Sequence, residues 1–231
     1  MTIRMYDLAG AEDGRRFSPF CWRIKMALSH KGVPFETIAW RFGEKSALEG
    51  VGSKTVPVIV DGATVVADSW KIALYLDEAY PGTVRLMDSE QSRGAILAFK
   101  FWVERTVQAG MLPVVILDLL GNIHPNDRAY FRESREKRFG KTLEAFGADP
   151  EGAIGRLRQA LDPARALLSE QNFVGGRTPS FADDILFGAF QWGRCVSPKH
   201  LLATDDPIYR WRERMLDMHD GVGRQGLGYP V

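Results

Sequence analysis

Three short stretches of the chain carry residue types whose chemistry depends on where they sit. Ser18-Pro19-Phe20-Cys21-Trp22-Arg23 sets a hydroxyl and a thiol three positions apart, Val56-Pro57 precedes the apolar run Val58-Ile59-Val60, and Asp68-Ser69 precedes a helical pattern. Ser18 is a good N-cap and Pro19 fits the first helical position, where a missing N–H costs nothing. A helix N-terminus gathers free N–H donors and positive dipole potential, so a hydroxyl placed there can serve an anion, including a thiolate. Asp68-Ser69 offers free N–H groups at a second helix start. Each stretch also has a plain structural reading, since Ser18, Asp68 and Ser69 are ordinary capping residues.

Other chemistries find less support. The two cysteines, Cys21 and Cys195, are far apart and form neither a disulfide framework nor a metal-ligand cluster. One turn into its helix, Cys21 is expected to face inward and pack. The four histidines (30, 124, 200 and 219) share no metal-like spacing, so no metal site is expected. A formal net charge of +1 over 231 residues gives no global field for nucleic acid or an anionic membrane. Arg132, Arg135, Lys137 and Arg138, interleaved with Glu133 and Glu136, read as a solvated helix face. No apolar run is long enough to cross a bilayer, and the first residues do not read as a signal peptide, so a cytoplasmic location is expected.

The elements that must hold these residues can be read from periodicity and turn signals. Thr2–Leu8 is expected as a strand, Ser18–Gly32 as a capped helix with Ile24, Ala27 and Leu28 inward, and Val33–Trp40 as a second strand. A short helix is expected around Lys45–Leu48. Val56–Val60, Asp61-Gly62 and Thr64–Ala67 predict a hairpin, and Asp68-Ser69 caps a helix to about Tyr80, stopped by Pro81-Gly82. Beyond Ser89 only helical patterns occur: a long one with a kink or break at Pro113, then Asp127–Phe146, Gly152–Ser169, a buried helix capped by Ser180 with Asp183, and Asp206–Asp220 before a Gly-rich tail.

Taken in order and at this spacing, Ser18-Pro19-Phe20-Cys21-Trp22-Arg23, Val56-Pro57, Asp68-Ser69 and Ser180-x-x-Asp183 resemble a cytosolic glutathione transferase of the serine type. Tyr75–Pro81, Asp206-Pro207 and Asp220–Arg224 add a likeness to the bacterial β-etherase-like branch and related fungal enzymes. The resemblance implies an α/β thioredoxin-like N-terminal domain with a mixed four-stranded sheet (1–82), a linker (83–88) and an all-α helical-bundle C-terminal domain (89–231). It also implies glutathione as cosubstrate, with Ser18 stabilising the thiolate, Pro57 in the cis form and Val56 pairing its backbone with the cysteinyl part. Asp68 and Ser69 would hold the γ-glutamyl end, and Lys54 the glycyl carboxylate.

A hydrophobic, aromatic acceptor would lie near Phe20, Trp102, Met111 and Leu112, with the loop Ala9–Arg16 as a lid. Conjugation, as in detoxification, or β-aryl ether cleavage would be the reaction, in a homodimer. Two alternatives stay open: thiol–disulfide exchange through Cys21, and a non-catalytic binder of aromatic ligands. Tyr6 is a rival thiol activator, though its place within the first strand favours packing.

Overall fold

The computed structural model describes residues 2–230. Strand β1 (Ile3–Leu8) leads through a loop into helix α1 (Pro19–His30), then β2 (Phe35–Trp40), the short α2 (Ser46–Glu49), the hairpin β3 (Val58–Asp61) and β4 (Thr64–Ala67), and α3 (Ser69–Ala79). The sheet order is β2-β1-β3-β4, with β1 parallel to β2 and both other pairs antiparallel. This is the mixed sheet of a thioredoxin-like domain.

The remainder is helical. α4 (Glu90–Trp102) continues through a π-helical segment, Val103–Gln108, into α5 (Ala109–Asn122). α6 (Arg128–Phe139) and the single turn α7 (Leu143–Phe146) follow, then α8 (Pro150–Ala160), α9 (Asp162–Glu170), α10 (Phe181–Val196) and α11 (Pro207–Gln225). No helix among the described residues is long and apolar enough to cross a membrane.

Several elements depart from the sequence expectations, each for a local reason. Pro113 does not break its helix. Lacking an N–H, it leaves the carbonyl of Ala109 without its i+4 donor, and the strain is taken up just upstream by the wider turns of Val103–Gln108. The expected helix 127–146 is two, because Gly140 adopts a left-handed conformation (φ 68°) that a side chain would resist. The expected helix 152–169 divides before Pro163. The Gly-rich tail is not simply a tail: the chain reverses through left-handed His219, Asp220 and Gly221 and returns to helix as far as Gln225.

The two halves meet where α1 packs on α10, the most extensive helix contact in the molecule. α10 is buried on all sides and begins at a capping box, with the Ser180 and Asp183 side chains each bonding the other's backbone N–H. It approaches α1 most closely at Gly188, where a Cβ would lie 2.4 Å from the Pro19 carbonyl oxygen and 3.2 Å from the Arg23 nitrogen. At the other end of α1, His30 Nδ1 lies 3.7 Å from an Asp184 carboxylate oxygen, and the His30 ring stacks on His219 at 5.6 Å.

Two predictions follow from this seam. Gly188→Ala forces a backbone shift at the start of α1 and is expected to cost about 2–3 kcal/mol in chemical denaturation. Gly94→Ala, in the open face of α4 with nothing within 4 Å of its Cβ, should be neutral or slightly stabilising.

The second prediction concerns pH. Burial, opposed by the His30 charge, pushes the Asp184 carboxyl up to about 6. Burial opposes the protonation of His30, but Asp184 outweighs it and the imidazole pKa is raised. With both folded-state values raised, the native state binds more protons than the unfolded chain. The stability this gives is fully present below the ordinary carboxylate range and is lost as pH rises through about 6 and then through the His30 value. The wild type should therefore lose roughly 2 kcal/mol between pH 4 and 8 relative to His30→Gln/Asp184→Asn, measured by denaturation across that range. Parallel pH profiles for the two proteins would exclude the linkage.

Candidate functional site

A cavity of about 1150 Å³ opens between the sheet half and the helical half. Its lining includes Ser18 and Phe20 from the start of α1, Lys54, Val56 and Pro57 ahead of β3, and Asp68 and Ser69 from the start of α3. The helical half contributes Glu104 and Gln108 from the π segment, Leu112 and Ile116 from α5, and Tyr130, Phe131 and Arg135 from α6. The three stretches singled out by residue type thus share one space.

Ser18 is buried and caps α1, its Oγ accepting a hydrogen bond from the Cys21 N–H at 3.2 Å. That bond uses an acceptor lone pair, so the hydroxyl proton can still be donated into the cavity. The Val56–Pro57 peptide bond is cis. Val56 lies just outside the sheet ladder, whose first pair is Val58 with Ala67, and its backbone borders the cavity.

Asp68 is a backbone outlier (φ 79°, ψ 127°) held by its own cap: Oδ1 accepts from the Trp70 and Lys71 N–H groups at 3.0 and 3.1 Å. A non-glycine residue in such a conformation costs of order 1–3 kcal/mol and concentrates at binding sites. Here it delivers buried Ser69 to the cavity wall, while the Trp70 and Lys71 N–H groups that follow are taken up by the cap.

Arg23 ties these pieces together and was not singled out by sequence reasoning. Fully buried in α1, its guanidinium donates to Glu104 at 2.8 Å and to Ser69 Oγ at 3.5 Å, and lies 4.8 Å from the Phe20 ring centre. Glu104 is held from its other side by Lys100 at 3.1 Å. Burial lowers the Arg23 pKa, with Glu104 opposing, so the pairing keeps a charge inside the protein. Gln108 was missed as well: its Nε2 is buried beside the cavity with no hydrogen-bond partner among the described residues. The only sequence signal for either was Pro113, five residues beyond the end of the π segment that presents Glu104 and Gln108.

Other expected residues lie elsewhere. Met111 is fully buried and points to α10, where a Cβ on Gly193 would come within 2.9 Å of its Cε; it does not line the cavity. Trp102 packs on Phe99 with ring centres 5.3 Å apart and is also absent from the lining. Met111 lies beyond the π segment, whose wider turns shift the phase of α5 relative to α4. Leu112, Phe20 and Lys54 do line the cavity. The loop 9–16 is no open lid: Gly10 and Ala11 are bonded to Arg15 and Asn122, and Arg41 bonds the Gly10 carbonyl and pairs with Asp13.

Cys21 is fully buried with Sγ 4.0 Å from the Tyr6 carbonyl oxygen. Burial, and then the charge of Asp7, push its thiol far above the ordinary range. Cys195 is buried as well. Among the described residues, no three His, Cys, Asp or Glu side chains gather in a way that could hold a metal ion.

The comparisons agree with this architecture. Residues 17–79 match the glutathione S-transferase N-terminal domain and residues 96–217 the glutathione S-transferase C-terminal domain. The chain belongs to the glutathione S-transferase family. It is 26% identical over 211 residues to the probable glutathione S-transferase GSTU6 of Oryza sativa subsp. japonica, covering 85% of this chain and 80% of that one. With the probable glutathione S-transferase GSTU1 of Oryza sativa subsp. indica it shares 27% identity over 69% of its own length, and spans 62% of the relative.

Among solved structures, glutathione transferase GSTFuA2 from Phanerochaete chrysosporium superposes with a TM-score of 0.77 at 28% identity, covering 97% of this chain and 95% of that one. CsGST63524 of Ceriporiopsis subvermispora, solved in complex with glutathione, gives 0.83 at 23% identity over the whole of both chains, a likeness of fold.

The thiol environments generate a prediction. The native protein should react with no equivalent of a disulfide reagent such as dithiobis(nitrobenzoate) on the minute timescale, and with two in denaturant, because both thiols are buried and protonated. One fast native thiol would reopen exchange chemistry at Cys21.

Proposed function

We propose that the chain binds glutathione as cosubstrate and activates its thiol at Ser18 for attack on an electrophilic carbon of a hydrophobic, aromatic acceptor. One observation carries this reading: a single cavity is lined both by Ser18, Val56-Pro57 and Asp68-Ser69 and by aromatic and aliphatic side chains of the helical half. Each part of the tripeptide finds a complement. The thiol meets a hydroxyl donor at the positive end of α1, where a thiolate is favoured over the thiol. The cysteinyl backbone meets Val56, and the γ-glutamyl carboxylate meets Ser69 and the N-terminus of α3, with Asp68 near the ammonium. Lys54 is offered to the glycyl carboxylate.

Once formed, the thiolate displaces a leaving group from, or adds to, the acceptor carbon lying toward Phe20 and Leu112. Cleavage of a β-aryl ether is one reaction this arrangement suits, with the aryloxide departing as the new carbon–sulfur bond forms. The expected homodimer and cytoplasmic setting belong to the same proposal and rest on the family. Exchange through Cys21 gains nothing from the geometry, which buries that thiol.

The test is an ultraviolet titration of bound glutathione in the wild type and in Ser18→Ala. The wild type should lower the thiol pKa below about 8.5, its ordinary value for a cysteine thiol, and the variant should not. Turnover of an aryl electrophile should fall by about 100-fold, the usual loss on removing one preorganised donor. Losing the α1 cap also costs about 1 kcal/mol of stability, which thermal denaturation of the same samples separates from the catalytic effect. A thiol unshifted in the wild type would refute the reading.

A further inference from the structure

The end of the cavity remote from Ser69 is built from residues the proposed chemistry does not use. The segment after β2 brings Phe42 and Lys45 against Tyr130, Phe131, Arg135 and Arg138 of α6. Phe42 meets Phe131 and Tyr130 at 6.1 and 6.3 Å between ring centres, so the wall is aromatic. The Arg135 guanidinium lies 4.5 Å from the Phe131 ring centre and 5.3 Å from that of Phe42, and Lys45 Nζ lies 5.1 Å from that of Tyr130.

Charge at this end is unbalanced. Three carboxylate side chains line the cavity: Asp68 caps α3, Glu104 is held by Arg23 and Lys100, and Glu49 forms no ion pair among the described residues. Among the described residues Lys45, Arg135 and Arg138 take part in no ion pair either, so this part of the lining carries three cations without a fixed counter-charge. Of the acids in α6 and α7, Glu136 and Glu144 bind Arg132 at 2.9 and 2.8 Å, and Glu133 does not line the cavity. Arg135 makes one polar contact, from Nη1 to Ser134 Oγ at 2.9 Å. Stacking on rings occupies the face of a guanidinium and leaves its in-plane N–H fork directed outward, the arrangement that grips a carboxylate. Burial, and then the charge of Arg138, lower the Arg135 pKa, so a counter-anion here would relieve both.

Resting on the reading of the cavity as a glutathione and acceptor site, we infer that the acceptor is an aromatic molecule carrying an anionic group, a carboxylate or a phenolate. Arg135 and Arg138 grip that group while Phe42, Tyr130 and Phe131 pack on the ring. The anion fixes which carbon of the acceptor faces Ser18, so the cations set specificity without touching the reacting atoms. Lys45 adds charge at the cavity mouth.

The test uses two fluorescent probes of similar shape, anionic 8-anilinonaphthalene-1-sulfonate and neutral N-phenyl-1-naphthylamine. Each is titrated into the wild type and into Arg135→Gln/Arg138→Gln, with and without saturating S-methylglutathione. The wild type should prefer the anion by about 10-fold, as expected for one charge-assisted contact, and the preference should shrink with added salt. In the variant it should fall to near parity while the neutral probe binds within about twofold of wild type, which also shows that the pocket is intact.

Equal affinity for both probes in the wild type, or an anion preference that survives in the variant, overturns the inference. So does a variant that loses affinity for S-methylglutathione and keeps its anion preference, because the arginines would then serve the glycyl carboxylate. Failure of S-methylglutathione to bind the wild type would refute the glutathione reading, and the titrations without it would still report on the anion site.

Discussion

The site depends first on a steric allowance: α10 can reach the first turn of α1 only because residue 188 has no side chain. With 2.4 Å between a notional Cβ and the Pro19 carbonyl oxygen, helix and turn are already in contact. That contact sets where the N-terminus of α1 lies relative to the helical half. It therefore sets where Ser18 Oγ stands relative to Leu112 and Gln108 across the cavity. The alternative, a larger residue, would push α10 away and widen the gap into which two different ligands must fit. A close-packed interior transmits such displacements because it has few voids to absorb them. The N-terminal turn of α10 is fixed as well, by its reciprocal cap at Ser180 and Asp183 and by the Trp211 indole N–H donated to Asp183 at 2.9 Å.

Electrostatics also joins the halves beside the cavity, at a buried guanidinium. Arg23 leaves α1 and meets Ser69 of the sheet half and Glu104 of the helical half. A guanidinium with no solvent access is costly unless paired. The pairing thus couples Ser69 at the cavity wall to the π segment of the other half. Movement of α4 away from the sheet would strip Arg23 of its carboxylate. The strained Asp68 backbone is fixed from the same side, since Ser69 follows it and the cap to Trp70 and Lys71 holds the turn. Strain persists where the surroundings over-determine it, and here they do.

How much of this could be read from the chain depended on the range of the interaction responsible. Ser18, Pro19, Asp68 and Ser180 announce helix starts through bonds spanning two or three residues, and Asp61-Gly62 announces its hairpin in the same way, so the order of elements was legible. The spacing between them, set against a known family pattern, was enough to expect a shared site. Arg23 gave no local sign, because its meaning comes from partners 46 and 81 positions away. Met111 turns into the core because six π-helical residues change the phase of the helix beyond them, which a constant 100° per residue does not anticipate. The left-handed reversal at His219–Gly221 was hidden for a related reason: three consecutive residues of that hand are stabilised by contacts such as His219 on His30, not by propensity.

The double use of Ser18 shows why a structural and a functional reading of one residue need not compete. A hydroxyl has one proton and two lone pairs. The cap consumes a lone pair, taking the Cys21 N–H at 3.2 Å, and leaves the hydroxyl proton available to another acceptor. A threonine could make the same two contacts, but its extra methyl would need room in a pocket where Ser18 is already buried. A cysteine would put a weaker acceptor in the cap. Serine at the head of α1 therefore meets two demands at once, helix initiation and a hydroxyl proton left over for donation into the cavity it lines.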